Sequence, residues 1–176
     1  MSKRLSFQSS IDCSDIFTEE FQNVLVKLHE KFNNEVSEIR KERITNQEKA
    51  RNGTMPKLLD ASEANGDWEI SELPEDLRTP GIEISGPAGI ASMLINALNP
   101  GPGGVRAEGD LDDDEDAAGH TLEDSIYAAR NRMQATLGTL QFDNETTGKH
   151  YELEPGKIPF FMHRERGLHL DEPSVT

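Results

Sequence analysis

The sequence predicts an α/β fold in which helices lie outside a parallel β-sheet. Residues 81–86 (GIEISG) alternate apolar and polar side chains, and a helical pattern follows them at residues 90–98. A second helical pattern at residues 122–137 precedes an apolar, strand-like run at residues 158–163. This alternation of strand and helix is typical of parallel crossover units. Three parallel strands are too few to stand alone, since parallel sheets are covered on both faces or closed into barrels.

The N-terminal part of the chain predicts one long amphipathic helix. Residues 1–13 carry no periodic pattern, and we expect them to be loosely attached. Thr18 is a candidate N-cap, and Gly53 is suited to the left-handed conformation that ends a helix. A lone helix must bury its apolar stripe, so we expect it to clasp the body of the protein. The stripe consists of Phe17, Phe21, Val24, Leu25, Leu28, Phe32, Val36 and Ile39.

A connector and the first strand follow this helix. Pro56 to Pro80 holds few periodic signals and predicts an extended connector. In the strand at residues 81–86, Ile82 and Ile84 share one face. The helix after it is predicted to end at Asn99, which precedes a proline. Val105 to Gly109 predicts a weakly patterned second strand.

An acidic run at residues 110–116 comes next. Asp112, Asp114, Asp116 and Glu123 occupy positions one, three, five and twelve of a calcium loop, but Ala117 stands where that loop needs glycine. A solvated loop before a helix N-terminus is the ordinary interpretation. A third interpretation is that one or two of these carboxylates face an active site at a strand end.

The last predicted helix and a hairpin complete the middle of the chain. Thr121 and Asp124 form a capping box that opens the helix. Residues 139–154 predict a hairpin around a turn at Glu145 to Gly148. The predicted apolar face of the helix is Leu122, Ile126, Ala129, Met133 and Leu137.

The stretch PFFMHRERGLHL at residues 159–170 places charged side chains after the third parallel strand. Alternation puts Arg164 on the face opposite His163, at the carboxyl end of that strand. Parallel sheets carry their chemistry at this end. The alternative is an arginine that merely leaves the core for solvent. His163 and His169 show no metal-ligand spacing and are interpreted either as structural or as residues that support the site from behind. Arg166 is expected nearer solvent than Arg164.

Composition excludes several classes of function. A formal net charge of -15 argues against a nucleic-acid partner, because neutralising phosphates needs clustered lysine and arginine. No apolar run is as long as a membrane span, and the N-terminus lacks the apolar segment of a secretory signal. The single Cys13 allows no internal disulfide, and with no second cysteine nearby we expect no structural zinc site. We therefore expect a cytoplasmic protein.

Four blocks of the chain together resemble one family. DWEISELPEDL, GIEISGPAGIASMLINALNPG, DDEDA and HRERGLHL are similar, in this order, to blocks of the malate synthases. The resemblance implies an N-terminal helical clasp and connector at residues 1–66. Residues 67–176 would then be the first portion of a TIM (β/α)8 barrel, incomplete in this chain, with the hairpin at residues 139–154 belonging to an inserted subdomain.

The resemblance also implies an activity. Malate synthases are transferases of the glyoxylate bypass, linked to the tricarboxylic acid cycle, which condense acetyl-CoA with glyoxylate to give malate and CoA with Mg²⁺. Arg164 matches the arginine that stabilises the enolate of acetyl-CoA, and Glu115 and Asp116 match acidic residues that line the site. The catalytic base and the Mg²⁺ ligands are expected downstream, so no metal ligand is assigned in this chain.

The chain departs from the family pattern where Glu165 replaces a proline and Leu168 replaces a tryptophan. Because base and metal ligands are expected elsewhere, we expect this chain alone to be an inactive fragment. Two alternatives stay open. The first is a non-catalytic truncated paralogue or interaction module, and the second is a related acyl-CoA lyase.

Overall fold

The computed structural model describes residues 5–58, 65–78 and 81–176. The chain divides into two compact units, one formed by Asn23–Leu73 and the other by Met1–Gln22 with Pro74–Thr176. No helix of the described residues is long and apolar enough to cross a membrane.

Helix α1 (Glu19–Arg51) provides most of the unit Asn23–Leu73. The backbone N–H of Phe21 donates to Thr18 Oγ1 at 3.3 Å, so Thr18 caps the helix as predicted. Gly53 has a φ of +87°, the left-handed conformation predicted at the end. None of the residues of α1 is buried, and Val24 and Leu28 are 49% and 48% exposed. That α1 clasps the body of the protein therefore stays a prediction.

The described parts of the predicted connector, residues 56–58 and 65–78, contain one short 3-10 helix, Glu75–Leu77. Residues 65–74, which precede this helix, form neither helix nor strand. Residues 59–64 and 79–80 of the connector lie outside the described residues.

The other unit contains a three-stranded parallel sheet and a separate hairpin. In chain order its elements are β1 (Glu83–Gly86), α2 (Ala91–Leu98), β2 (Gly109–Asp113), α3 (Leu122–Thr136), β3 (Gln141–Asn144), β4 (Lys149–Glu152) and β5 (Phe160–Arg164). The sheet has the order β1-β2-β5, so β2 is central. A mixed fold with helices crossing between parallel strands is confirmed. The strands of the described residues form no closed barrel.

The hairpin is confirmed where it was predicted. Strands β3 and β4 pair antiparallel, with Asn144 opposite Lys149. Asn144 Oδ1 accepts the backbone N–H groups of Thr146 and Thr147 at 3.1 and 3.0 Å. Gly148 has a φ of +68°, a left-handed conformation that glycine adopts without strain.

The core lies between α2, α3 and one face of the sheet. Phe161 of β5 and Tyr151 of β4 pack against it. Its buried members are Ala88, Leu94, Ile95, Leu98, Ala128, Ala135 and Leu140. Burying these side chains is the main apolar stabilisation of this unit.

The predicted apolar face of α3 is partly wrong. Leu122 and Ile126 are buried as predicted, but Met133 and Leu137 are 56% and 72% exposed. The reason is that the backbone at Gly89 packs closely against the backbone of α3. A Cβ on Gly89 would lie 3.2 Å from the backbone oxygen of Asp124. Small residues permit such an approach, so the buried face of α3 runs through Ala128 and Ala135.

The residue pattern placed the second strand at Val105 to Gly109, which is too early, and the interpretation of a solvated acidic loop is wrong. The resemblance implied a second strand within Val105 to Asp116, and β2 lies inside that range. Strand β2 begins where the predicted strand ends and contains the first acidic residues. Hydrogen-bonded strands on both sides bury it. Asp110, Asp112, Asp113 and Asp114 are only 2%, 0%, 3% and 5% exposed. A calcium loop beginning at Asp112 is excluded, because Asp112 lies within a β-strand.

The expectation of a loose N-terminus is wrong for residues 5–13. The backbone N–H groups of Ser6 and Gln8 donate to the carbonyl oxygens of Thr176 and Ser174 at 2.6 and 2.7 Å. Ser10 N donates to Glu123 Oε1 at 2.8 Å. These hydrogen bonds, together with the ring contact between Phe7 and Phe17, attach the segment without leaving a periodic pattern in the sequence.

Candidate active site

Arg164 lies at the carboxyl end of β5, beside the carboxyl end of β2. The parallel register makes Asp113 its direct neighbour. The guanidinium donates from Nε to Asp113 Oδ1 at 2.8 Å and from Nη2 to Asp113 Oδ2 at 2.5 Å. This two-bond pairing fixes the plane of the guanidinium, because a planar fork matches a carboxylate.

The two predicted acidic residues lie at the same place. Nη2 of Arg164 also donates to Asp116 Oδ2 at 2.5 Å. Glu115 Oε1 is 3.9 Å from Nη1, which is longer than a hydrogen bond. The structure thus brings Arg164, Glu115 and Asp116 together. Asp113 was not singled out, although it stands first in the DDEDA block.

One edge of the guanidinium is open. The described part of the chain places no hydrogen-bond acceptor on Nη1 of Arg164, and the side chain is 40% exposed. Asp113 thus holds one edge of the guanidinium, while Nη1 has Glu115 Oε1 at 3.9 Å and donates no hydrogen bond to the described residues.

Charge at this site is fixed by pairing. The hydrogen bond from Arg164 lowers the pKa of Asp113 to about 2. The hydrogen bond to Asp113 and, to a lesser extent, the one to Asp116 raise the pKa of Arg164. Asp113 Oδ1 also accepts the backbone N–H groups of Glu115 and Asp116 at 3.0 and 3.1 Å. Asp113 therefore shapes the turn that carries the other two carboxylates.

A second group of charges occupies the opposite face of β2. Arg132 of α3 donates from Nη1 to Asp112 Oδ2 at 2.6 Å and to Asp114 Oδ2 at 3.1 Å. His163 Nδ1 is 3.0 Å from Asp112 Oδ2. Burial and, to a lesser extent, the nearby negative charge of Asp112 raise the pKa of Asp110 to about 6. This group was missed, because the acidic run was interpreted as a loop.

Arg166 is not nearer solvent than Arg164. Its side chain is 19% exposed, against 40% for Arg164. It donates to Glu172 Oε2 at 2.9 Å and to the carbonyl oxygen of His120 at 3.2 Å. The loop after β5 folds back, so a position two residues beyond the strand is covered.

The carboxylates around Arg164 do not fit Mg²⁺. Asp113 and Asp116 are already neutralised by a guanidinium. A second cation would compete with Arg164 for the oxygens of Asp113 and Asp116. Elsewhere among the described residues, one ligand atom from each of Asp114, His163 and Glu165 lies within 4.8 Å of the others.

Known proteins resemble the chain along nearly all of its length. It is 34% identical to malate synthase of Myxococcus xanthus (strain DK1622) over 93% of this chain, and 34% identical to malate synthase A of Escherichia coli (strain K12) over 92%. It is 36% identical to a glyoxysomal malate synthase of Zea mays over 62% of this chain. The chain spans 29% of the length of the first two relatives and 19% of the third. No protein-family model matches it.

The shared stretch includes most of the four blocks on which the resemblance was based. The chain is therefore homologous to the malate synthases, as those blocks predicted.

Proposed function

We propose that this chain supplies the enolate-stabilising arginine of a malate synthase-type site. In that reaction the methyl group of acetyl-CoA loses a proton, the resulting enolate attacks the aldehyde carbon of glyoxylate, and hydrolysis of the thioester yields malate and CoA. The observation that carries the proposal is the open Nη1 edge of Arg164, held at a strand end by Asp113.

The chemistry needs a fixed cationic donor. Negative charge develops on the thioester oxygen as the proton leaves, and a preorganised N–H donor stabilises that charge more than it stabilises the substrate. Removing one such donor typically costs about 3 kcal/mol in the transition state. Asp113 prepares Arg164 for this role, since a guanidinium already fixed in plane needs no reorientation.

Other parts of the reaction lie outside the proposed role of these residues. Because the carboxylates beside Arg164 do not fit Mg²⁺, no step through a metal is assigned to them.

The proposal also includes the fold: β1, β2 and β5 are three neighbouring strands of a TIM barrel, residues 1–66 form the clasp with its connector, and the hairpin belongs to an inserted subdomain. A cytoplasmic location is part of the same proposal.

A second candidate function is a non-catalytic interaction module. Arg164 pairs with two carboxylates, Asp113 and Asp116. An arginine neutralised in this way stabilises the end of the sheet without acting on a substrate. The two candidates differ in whether the Nη1 edge is used.

A chimera separates the two candidates. The part of Escherichia coli malate synthase A that aligns with this chain is replaced by the chain, and CoA release is measured with acetyl-CoA, glyoxylate and Mg²⁺. If the proposal holds, the chimera turns over, and Arg164→Lys lowers its turnover number about a hundredfold, because lysine offers no planar fork. The Michaelis constant for acetyl-CoA should change little.

The matched control is Arg130→Lys. Arg130 also grips a carboxylate with two bonds, to Asp15 at 2.7 and 2.6 Å, but lies away from the strand ends. The control should keep near-normal turnover. A folded chimera that has no activity, or one that keeps its turnover with Arg164→Lys, would favour the interaction module. The chain by itself should release no CoA above background.

A further inference from the structure

The loops that follow β2 and β5 are joined by one arginine. In the loop after β2, the carbonyl oxygen of His120 accepts a hydrogen bond from Nη1 of Arg166 at 3.2 Å. In the loop after β5, Glu172 Oε2 accepts one from Nη2 at 2.9 Å. The side chains of Arg166 and Glu172 are only 19% and 21% exposed. Because a guanidinium presents its donors in a rigid plane, Arg166 fixes the distance between the two loops.

The backbone at His120 depends on this contact. Its φ is +61°, a left-handed conformation that residues other than glycine rarely adopt. Its carbonyl oxygen accepts from Arg166, and its imidazole Nε2 contacts the carbonyl oxygen of Glu115. A strained conformation persists only where the surrounding contacts determine it. Arg166 therefore holds the end of the loop after β2 in place.

The second partner of this arginine is itself fixed. Glu172 Oε1 accepts the backbone N–H of Ser174 at 3.0 Å, and the carbonyl oxygen of Ser174 accepts the backbone N–H of Gln8 at 2.7 Å. The same N-terminal segment donates a backbone N–H to Glu123, in the first turn of α3, at 2.8 Å. The two loops are thus linked directly through the arginine and indirectly through the N-terminal segment.

The linkage bears on the position of the Glu115 carboxylate. A Cβ on Gly167 would lie 3.3 Å from Glu115 Oε2, so the backbone next to Arg166 lies against this carboxylate. On its other side, Glu115 Oε1 is 3.9 Å from Nη1 of Arg164, which is too far for a hydrogen bond. A carboxylate that moved about 1 Å nearer would accept a hydrogen bond from Nη1.

We propose that Arg166 is a positioning residue for the candidate active site, because by joining the two loops it holds Glu115 back from Nη1 of Arg164. The inference rests on the proposed function, in which the Nη1 edge of Arg164 serves the enolate. Without Arg166 the loop after β2 relaxes, and the opposite charges of Glu115 and Arg164 draw together. The substrate must then compete with an internal carboxylate for the same donor. Arg166 acts through Glu115, so it is not a catalytic residue.

The first test uses the chimera with Escherichia coli malate synthase A. Arg166→Met removes both hydrogen bonds, and turnover per folded chimera should fall about tenfold while the Michaelis constant for acetyl-CoA changes little. Arg166→Lys keeps a cation beside Glu172 and should lose less. Glu115→Gln should be less damaging in the Arg166→Met background than in the unaltered chimera, because both changes act on one contact. An equal effect of Glu115→Gln in the two backgrounds would overturn the proposal.

The matched control is Arg106→Met. Arg106 joins the segments that precede β2 and β5, as Arg166 joins those that follow them. It donates from Nη2 to the carbonyl oxygens of Glu154 and Pro155 at 2.8 and 3.1 Å. Because it lies at the amino ends of the strands, Arg106→Met should keep near-normal turnover per folded chimera. A loss as large as that of Arg166→Met would show a general effect on the fold and would contradict a positioning role.

A second measurement does not depend on activity. Amide hydrogen exchange of residues 114–121 is followed by mass spectrometry in the chain itself. Exchange in this loop should become about fivefold faster or more in Arg166→Met and stay unchanged in Arg106→Met. Unchanged exchange in Arg166→Met would overturn the proposal even if the chimera is active. Faster exchange, together with a chimera that keeps its turnover with Arg164→Lys, would support the role of Arg166 in the loop and count against the proposed function alone.

Discussion

The two faces of β2 hold carboxylates under opposite conditions. Asp113, on the face of Arg164, has its pKa lowered to about 2 by the hydrogen bond from that arginine. Asp110, on the face of α3, has its pKa raised to about 6 by burial and by the nearby charge of Asp112. Both are almost fully buried. The difference teaches that a cationic partner, and not depth alone, sets the pH at which a buried carboxylate becomes charged.

Two further buried carboxylates, those of Asp112 and Asp114, have a cationic partner. They share the face of Asp110 but contact Arg132. Burial still raises the pKa of Asp114, with Arg132 acting against it. One guanidinium therefore serves two carboxylates, and the stability of this face depends on it.

The largest expected effect comes from removing that guanidinium. Arg132→Ala leaves Asp112 and Asp114 buried without their cation, which typically costs about 3 kcal/mol or more. The loss of stability is measured by urea unfolding at pH 8, monitored by circular dichroism. Arg130→Ala is the control: its partner Asp15 is 51% exposed, so we expect a clearly smaller loss. Equal losses for both variants would show that depth does not distinguish the two pairs.

A smaller effect of opposite sign is expected at Asp110. Its folded pKa is raised, so the folded chain binds more protons between about pH 4 and pH 6, and stability falls as pH rises through that window. Asp110→Asn removes this loss, so the variant should be more stable than the unaltered chain by about 2 kcal/mol at pH 8. The gain should vanish near pH 4. A gain that does not vary with pH would mean that ionisation of Asp110 is not its cause.

Patterns that repeat along the chain allowed much of the fold to be predicted. The long helix with its cap at Thr18, the capping box at Thr121, the hairpin and the strand before Arg164 all follow from local periodicity and turn chemistry. The central strand β2 does not follow from such local patterns. Its sequence, Gly109–Asp113, contains one apolar side chain, and its burial comes from neighbouring strands 26 and 51 residues away along the chain.

The candidate site was predictable where a motif carried it. Arg164 and its acidic neighbours were found from strand alternation and from the family blocks. Arg132 could not be found in this way, because an arginine on a helix normally faces solvent and only the packing of α3 turns it towards Asp112. One signal was available. Buried carboxylates need cationic partners, so identifying β2 as a buried strand would have predicted an arginine or lysine beside it.

The smallest expected effect concerns the face of Arg164. Asp113 has a lowered pKa, so its pairing stabilises the fold above about pH 4 and this contribution is lost as pH falls towards 2. Asp113→Asn keeps an oxygen for the backbone N–H groups of Glu115 and Asp116 but places a neutral amide against Arg164. The variant should unfold at lower urea than the unaltered chain at pH 7, by less than Arg132→Ala does, because Arg164 is 40% exposed and water compensates it. The difference should shrink steadily between pH 4 and pH 2. If it instead persisted at pH 2, the role of Asp113 would lie in the turn that it shapes and not in its charge, and the account of how Arg164 is held in plane would have to be abandoned.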